Sequence, residues 1–442
     1  MTTADNDSAI YQRPVELLQR LIRFDTTNPP GNESECIALI KGILAEVGID
    51  ARILARSPER PNLIARLPGQ GKAAPLLLYG HIDVVTTENQ AWQHPPFEGK
   101  LVDGYVWGRG ALDMKGGIAM LLTAFLRAKA EGMQPAGDIV LTVVSDEEAG
   151  GDFGAMWLVN EYPEEFRGIH YALGEFGGFS MGTKPRLYPI MVSEKQVCWM
   201  KATLRGPGGH GSTPVRGGAM AKLARFLHQL DTQRLPVHIT PEVRLMFEAL
   251  ASALGGISGK LIGQLLNPRL TNRLLGLLGE RGHQFDPLLH NTVSPTVLHG
   301  SSKINVIPGE VAVELDGRTL PGFGPDDLIR ELRGIVGDEV EFELIHHDPG
   351  PSKPDMGFFN TLVEILKEAD PEAVPIPFIV SGFTDARCFS KLGIQTYGFL
   401  PMKLPDDFNF MRTIHGADER IPAEAIEFGA NAIYKALQRF GI

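Results

Sequence analysis

Leu76-Leu77-Leu78-Tyr79-Gly80-His81-Ile82-Asp83 is the stretch on which the fold turns. Its apolar run is too short for a helix and stops at a glycine, the pattern of a buried strand that ends where polar residues begin. Outward from it, Asn62–Ala65, Ile139–Val144 and Tyr171–Leu173 read as strands of the same kind. A helix from Met114 to about Lys129 lies between Leu76–Tyr79 and Ile139–Val144. Upstream, Leu17, Leu18, Leu21 and Ile22 form one helical stripe; Cys36, Leu39, Ile40, Ile43, Leu44 and Val47 form another, closed by Gly48. Strands alternating with helices predict an α/β domain built on a mostly parallel sheet covered on both faces.

From about Ser193 the texture changes. Val197–Leu204, Val311–Leu315 and Val340–Leu344 alternate apolar and polar, as half-solvated antiparallel strands do, with helices at Ala219–Leu230 and Pro325–Val336. After Pro351 the first texture returns, with a helix near Phe358, a strand over Gln395–Leu400 and a final helix over Ala423–Phe440. The expectation is a discontinuous catalytic domain, 1–193 and 350–442, interrupted by an α+β domain at 194–349. Within the insert, a Leu- and Gly-rich helical insertion near 236–297 carries scattered Arg and Lys. Helices packing on their own domain are favoured there over a hairpin that touches a hydrophobic substrate or lipid.

The chain has 442 residues, 43% hydrophobic and 21% charged, which excludes wholesale disorder and suggests two domains. Its net charge of −11 argues against nucleic-acid and membrane-surface partners, which need basic surface. Three cysteines without a CxxC pattern, no signal-like start and no apolar run of membrane-spanning length predict a soluble cytoplasmic protein.

Five polar stretches carry chemistry. His81 and Asp83 follow the Leu76 strand; imidazole is a common zinc ligand and a carboxylate can hold its second nitrogen, although His-x-Asp alone fits a structural histidine equally well. Asp113 sits among glycines in Gly108-Arg109-Gly110-Ala111-Leu112-Asp113-Met114-Lys115-Gly116-Gly117, either a helix cap or a carboxylate bridging two cations. Asp146, Glu147 and Glu148 follow the strand Ile139–Val144, either as a solvated turn or as a division between metal binding and proton transfer. Glu175 follows a further strand, and His415 precedes the final helix. Two histidines and several carboxylates at strand ends and loops suit a pair of borderline metal ions.

In these motifs the chain resembles the co-catalytic di-zinc exopeptidase and amidohydrolase family of aminoacylase, glutamate carboxypeptidase, acetylornithine deacetylase and succinyl-diaminopimelate desuccinylase. The motifs, GHIDVV, GRGALDMKGG, SDEEAGG, GEFGG and IHGADE, occur in the family's order. The resemblance implies one zinc on His81, Asp113 and Glu175, and the other on Asp113, Glu148 and His415. It makes Glu147 the general base and Asp83 the residue orienting His81, with a cis peptide at Asp113–Met114. Cobalt and manganese are substitutes for zinc.

The resemblance further implies that the insert is a lid and dimerisation domain, giving a homodimer, and that His210 acts at the active site. Asn305, Arg318 and the loop with Gly382 and Thr384 would hold substrate. The reaction implied is hydrolysis of an N-acyl amino acid or of a C-terminal peptide bond, on a small molecule or short peptide with a free carboxylate. A dipeptidase or aminopeptidase of the same family, and a catalytically silent ligand-binding relative, are the alternatives. Phe176 stands where many members have glycine, Thr86 where many have proline, and the 236–297 insertion is longer than a minimal lid.

Overall fold

A computed structural model describes residues 7–182, 184–351 and 353–441. The chain divides into two compact units. One runs to Val192 and resumes over Asp355–Phe378 and from Thr384 onward; the other comprises Ser193–Pro354 and Ile379–Phe383.

The first unit is built on an eight-stranded sheet. Its strands in chain order are β1 (Ala51–Ala55), β2 (Pro61–Leu67), β3 (Leu76–His81), β4 (Ile139–Val144), β5 (Tyr171–Gly174), β6 (Arg186–Glu194), β11 (Ala373–Val380) and β12 (Gln395–Gly398); β7–β10 belong to the insert described below. Their spatial order is β1-β2-β4-β3-β5-β12-β6-β11. The central strands β4, β3, β5 and β12 are parallel, whereas β1, β2 and β6 join antiparallel.

The apolar run of β3 is continuous because both faces are buried. Leu76 and Leu78 enter one core with Ile139, Leu141 and Val143 of β4; Leu77 and Tyr79 enter the other with Val140 and Val144. Helices α1 (Pro14–Ile22), α2 (Ser34–Glu46), α3 (Lys115–Ala130), α7 (Phe359–Ala369) and α8 (Ala423–Arg439) fill the first core, and α4 (Ala155–Glu161) the second. α3 is buried almost all round, which explains its near-uniform apolar composition. It meets α8 closely: a Cβ on Gly429 would lie 2.3 Å from the Met120 sulfur.

In the second unit, β7 (Gln196–Arg205), β8 (Thr292–His299), β9 (Glu310–Thr319) and β10 (Glu341–His347) form an antiparallel sheet in the order β8-β9-β7-β10. Cys198, Met200, Ala202 and Leu204 of β7 face a core with α5 (Ala219–Thr232) and α6 (Pro325–Val336), while Trp199 between them is exposed. The Leu-rich stretch forms helices at Pro241–Leu254, Gly256–Gln264 and Thr271–Leu278, which bury Val243, Phe247, Ile262 and Leu275. Ile257 and Leu277 stay 88% and 83% exposed. Among the described residues no helix is long and apolar enough to cross a membrane.

Candidate metal centre

The parallel register sets His81 of β3 opposite Val144 of β4, so both strands end at one level. Glu147 and Glu148 follow β4 immediately, and Glu175 follows β5 on the other side of β3. The crevice beyond the carboxyl ends of such strands is where open α/β sheets bind ligands. Asp113 enters it from the loop before α3, and His415 from the loop before α8.

Asp113 divides its two oxygens between the histidines. Oδ1 lies 3.1 Å from His81 Nε2, and Oδ2 lies 3.1 Å from His415 Nε2. His81 Nε2 is also 3.4 Å from Glu175 Oε2, and His415 Nε2 is 3.4 Å from Glu148 Oε1. Two donor sets result, His81/Asp113/Glu175 and Asp113/Glu148/His415, each with its ligand atoms within 4.8 Å of one another. Glu147 falls in a third set of the same compactness with His81 and Glu148. Tetrahedral zinc with bonds of about 2.0–2.1 Å separates its donors by about 3.3 Å, so these spacings fit. Glu175 Oε1, buried and without a hydrogen-bond partner, is a further free donor.

Neighbouring groups hold these side chains. His81 Nδ1 lies 3.0 Å from the Asp83 carbonyl oxygen and 3.4 Å from its carboxylate, so the main chain of Asp83 makes the closer contact. The Asp83 carboxylate instead accepts the backbone N–H groups of Glu147 and Glu148, at 3.1 Å each. Sequence reasoning missed Glu419, although it lies within the IHGADE motif. Its fully buried carboxylate accepts the N–H groups of Leu112 and Asp113 at 2.8 and 3.2 Å and pairs with Arg109 at 2.6 Å. Arg109 also donates to the His415 carbonyl at 3.2 Å, joining the two loops. The Asp113–Met114 peptide is cis.

The electrostatics is that of a site poised for cations. Burial, then the Glu175 charge, push Glu147 well above the ordinary carboxylate range, and burial raises Glu148 to about 7. Burial also raises Glu175. Burial opposes ionisation of Asp113 too, but hydrogen bonds from His415 and His81 outweigh it and hold Asp113 below its usual range. Asp113 and Glu148 raise His415 to about 10. Beside the site, Leu112, Phe176, Phe179, Leu400, Met402, Phe410 and Ile414 line an apolar recess bordered by Asp113 and Glu175. Phe176 holds a left-handed backbone, φ +64°, with its ring against Phe179, Phe378 and Phe410.

The remaining candidates divide between the units. In the second unit, exposed His210 accepts or donates at Nδ1 with Ser212 Oγ, 2.7 Å away, and the Asn305 carbonyl accepts the Gly211 N–H. Arg318 is held by the Asp316 carboxylate at 2.7 and 3.1 Å and lies 4.8 Å over the Phe383 ring, leaving Nη1 without a hydrogen bond. Gly382 is exposed in the same unit. Thr384, in the first unit, is buried, and its hydroxyl accepts the Ala386 N–H.

Residues 77–439 match the family model of peptidase family M20/M25/M40. The chain belongs to that family. A probable carboxypeptidase S-like 2 of Dictyostelium discoideum is 30% identical over 78% of this chain and 68% of its own. The human N-fatty-acyl-amino acid synthase/hydrolase PM20D1 is 27% identical over 82% of this chain and 74% of its own, and pig aminoacylase-1 is 25% identical over 96% and 94%. Among solved structures, the M20 metallo-carboxypeptidase Sso-CP2 of Sulfolobus solfataricus superposes with a TM-score of 0.69 at 16% identity, covering 97% of this chain and 99% of that one. A dinuclear metal-binding M20 peptidase of Bacillus subtilis does so at 0.61 and 14%, covering 97% and 98%. As an M20 protein the chain is a hydrolase of a metal-dependent family, and the resemblance read from its motifs holds.

Proposed function

We propose that this M20 enzyme hydrolyses the amide bond of an N-acyl amino acid, or a C-terminal peptide bond, in a substrate with a free carboxylate. The observation that carries the reading is Asp113, whose two oxygens each face a different histidine and a different carboxylate. A bridging carboxylate of this kind suits two zinc ions, with His81 and Glu175 on one and Glu148 and His415 on the other; cobalt or manganese suits the same donors. Two such ions, when bound, polarise the scissile carbonyl and lower the pKa of the attacking water.

The chain's own residues do the rest. Glu147, raised by burial, takes the water's proton and delivers it to the leaving nitrogen. Asp83 fixes the backbone of Glu147 and Glu148. From the second unit His210 would donate to the oxyanion and Arg318 would pair with the substrate carboxylate; Asn305 of that unit, with Gly382 and with Thr384 of the first, would position the amide. The likeness to PM20D1, an N-fatty-acyl-amino acid synthase/hydrolase, and to aminoacylase-1 favours an acylated amino acid. A homodimer through the inserted unit and cytoplasmic residence belong to the same proposal.

Glu147→Gln tests the reading. It is expected to retain metal, measured by elemental analysis, while kcat falls about 10²–10⁴-fold. Full activity in that variant contradicts the assignment.

A further inference from the structure

The turn that carries Glu147 and Glu148 is strained and tied down from one side. Asp146, immediately before it, adopts a left-handed backbone, φ +71°, that non-glycine residues keep only when their surroundings enforce it. Asp146 Oδ2 accepts the Phe153 N–H at 2.9 Å, and its Oδ1 receives two further donors. One is Arg60 Nη1 at 2.8 Å; the other is Asn28 Nδ2 at 3.1 Å. Asn28 Nδ2 also lies 2.8 Å from Asp83 Oδ2, the oxygen that accepts the Glu148 N–H.

Arg60 is itself immobilised. Its Nη2 pairs with Glu33 Oε1 at 2.9 Å, and its guanidinium lies 5.2 Å from the Phe153 ring centre. The backbone of Gly31 closes over the same group: a Cβ there would come within 2.4 Å of Arg60 Cζ, and φ is +80°. Arg60, Asn28, Glu33, Asp83 and Asp146 are all buried, so no water replaces a lost partner readily. One planar fork therefore spans Glu33 and Asp146, and one amide spans Asp146 and Asp83, so both groups hold the carboxylates beside the Glu147–Glu148 turn.

We propose that Arg60 and Asn28 are positioning residues for the reaction: by clamping Asp146 and Asp83 they hold Glu147 and Glu148 at the working geometry. This rests on the roles given above to Glu147 and Glu148. The guanidinium can bond Glu33 and Asp146 at once through its fork, which a lysine ammonium at the same position cannot reproduce.

The test compares Arg60→Met, Arg60→Lys and Asn28→Ala with the unaltered enzyme, all metal-loaded. Arg60→Met and Asn28→Ala are each expected to lower kcat about 10–100-fold and to weaken the metal bound through Glu148 by a similar factor, with KM changed less than about twofold. Metal affinity is read by chelator competition, independently of turnover, and Arg60→Lys recovers only part of either loss. Leu158→Ala, a cavity in the core beneath the other sheet face, is the control: it lowers Tm and leaves kcat and metal affinity unchanged. If Arg60→Met does not fold, Asn28→Ala, which removes only the amide, decides. Variants that lose Tm as the control does, yet keep kcat and metal affinity within about twofold, overturn the inference. An inactive Glu147→Gln beside active Arg60→Met and Asn28→Ala sinks this inference alone; an active Glu147→Gln sinks the reading on which it rests.

Discussion

Asp113 and Glu419 form a hierarchy at the residue scale. The first would offer its two oxygens to metal; the second, fully buried, fixes the first through two backbone N–H groups. The pair Arg109–Glu419 is 1% and 0% exposed, so removing one partner strands a charge in a medium that cannot solvate it. Arg109→Met is expected to destabilise the protein by about 3–5 kcal/mol in urea unfolding, and the double variant Arg109→Met/Glu419→Gln by less than the single one. Equal losses in both would contradict a coupled buried pair. The acids at strand ends were legible in the sequence because uncompensated carboxylates after an apolar strand need cations or water. The supports were not. Arg109 and Glu419 are 310 positions apart, and Arg60 meets Asp146 from another strand's entrance, so only the fold reveals the partnership.

Elements were readable in proportion to how strongly burial shaped them. β3, β4 and β5 are fully or nearly fully buried, and their apolar runs give them away. β11 was missed; Ala-Val-Pro-Ile-Pro-Phe-Ile-Val contains two prolines, which edge strands tolerate, and it lies at the edge of the sheet. β6 was missed as well, and it too carries a proline, Pro189. The central strands set the level at which His81, Glu147 and Glu175 emerge, so packing beneath them bears on stability more than on chemistry. Leu78→Ala, fully buried in the first core, is expected to cost about 2–5 kcal/mol, measured by denaturant unfolding with metal bound, with kcat of the folded fraction kept. A collapse of kcat without loss of stability would show that strand packing acts on the site directly.

For the molecule as a whole, the excess of acidic residues that first argued only against nucleic acid has a local meaning. Asp113, Glu147, Glu148 and Glu175 belong to one cluster, with the Asp83 carboxylate bonded to the backbone of two of them, and a chain of net charge −11 concentrates part of that charge where cations fit. The cluster binds protons in place of metal. His415, raised to about 10 by Asp113 and Glu148, is protonated in the metal-free protein at neutral pH, so metal entry releases that proton and tightens as pH rises. The direct measurement is a zinc titration of the metal-free protein at pH 8 and pH 6, with hydrolysis of N-acyl amino acids followed at each addition. The account predicts activity rising to a plateau at two equivalents per chain at pH 8. It predicts weaker binding at pH 6, by about tenfold per pH unit for each proton displaced. A plateau at one equivalent, or no hydrolysis of any N-acyl amino acid or peptide with two bound, would contradict it.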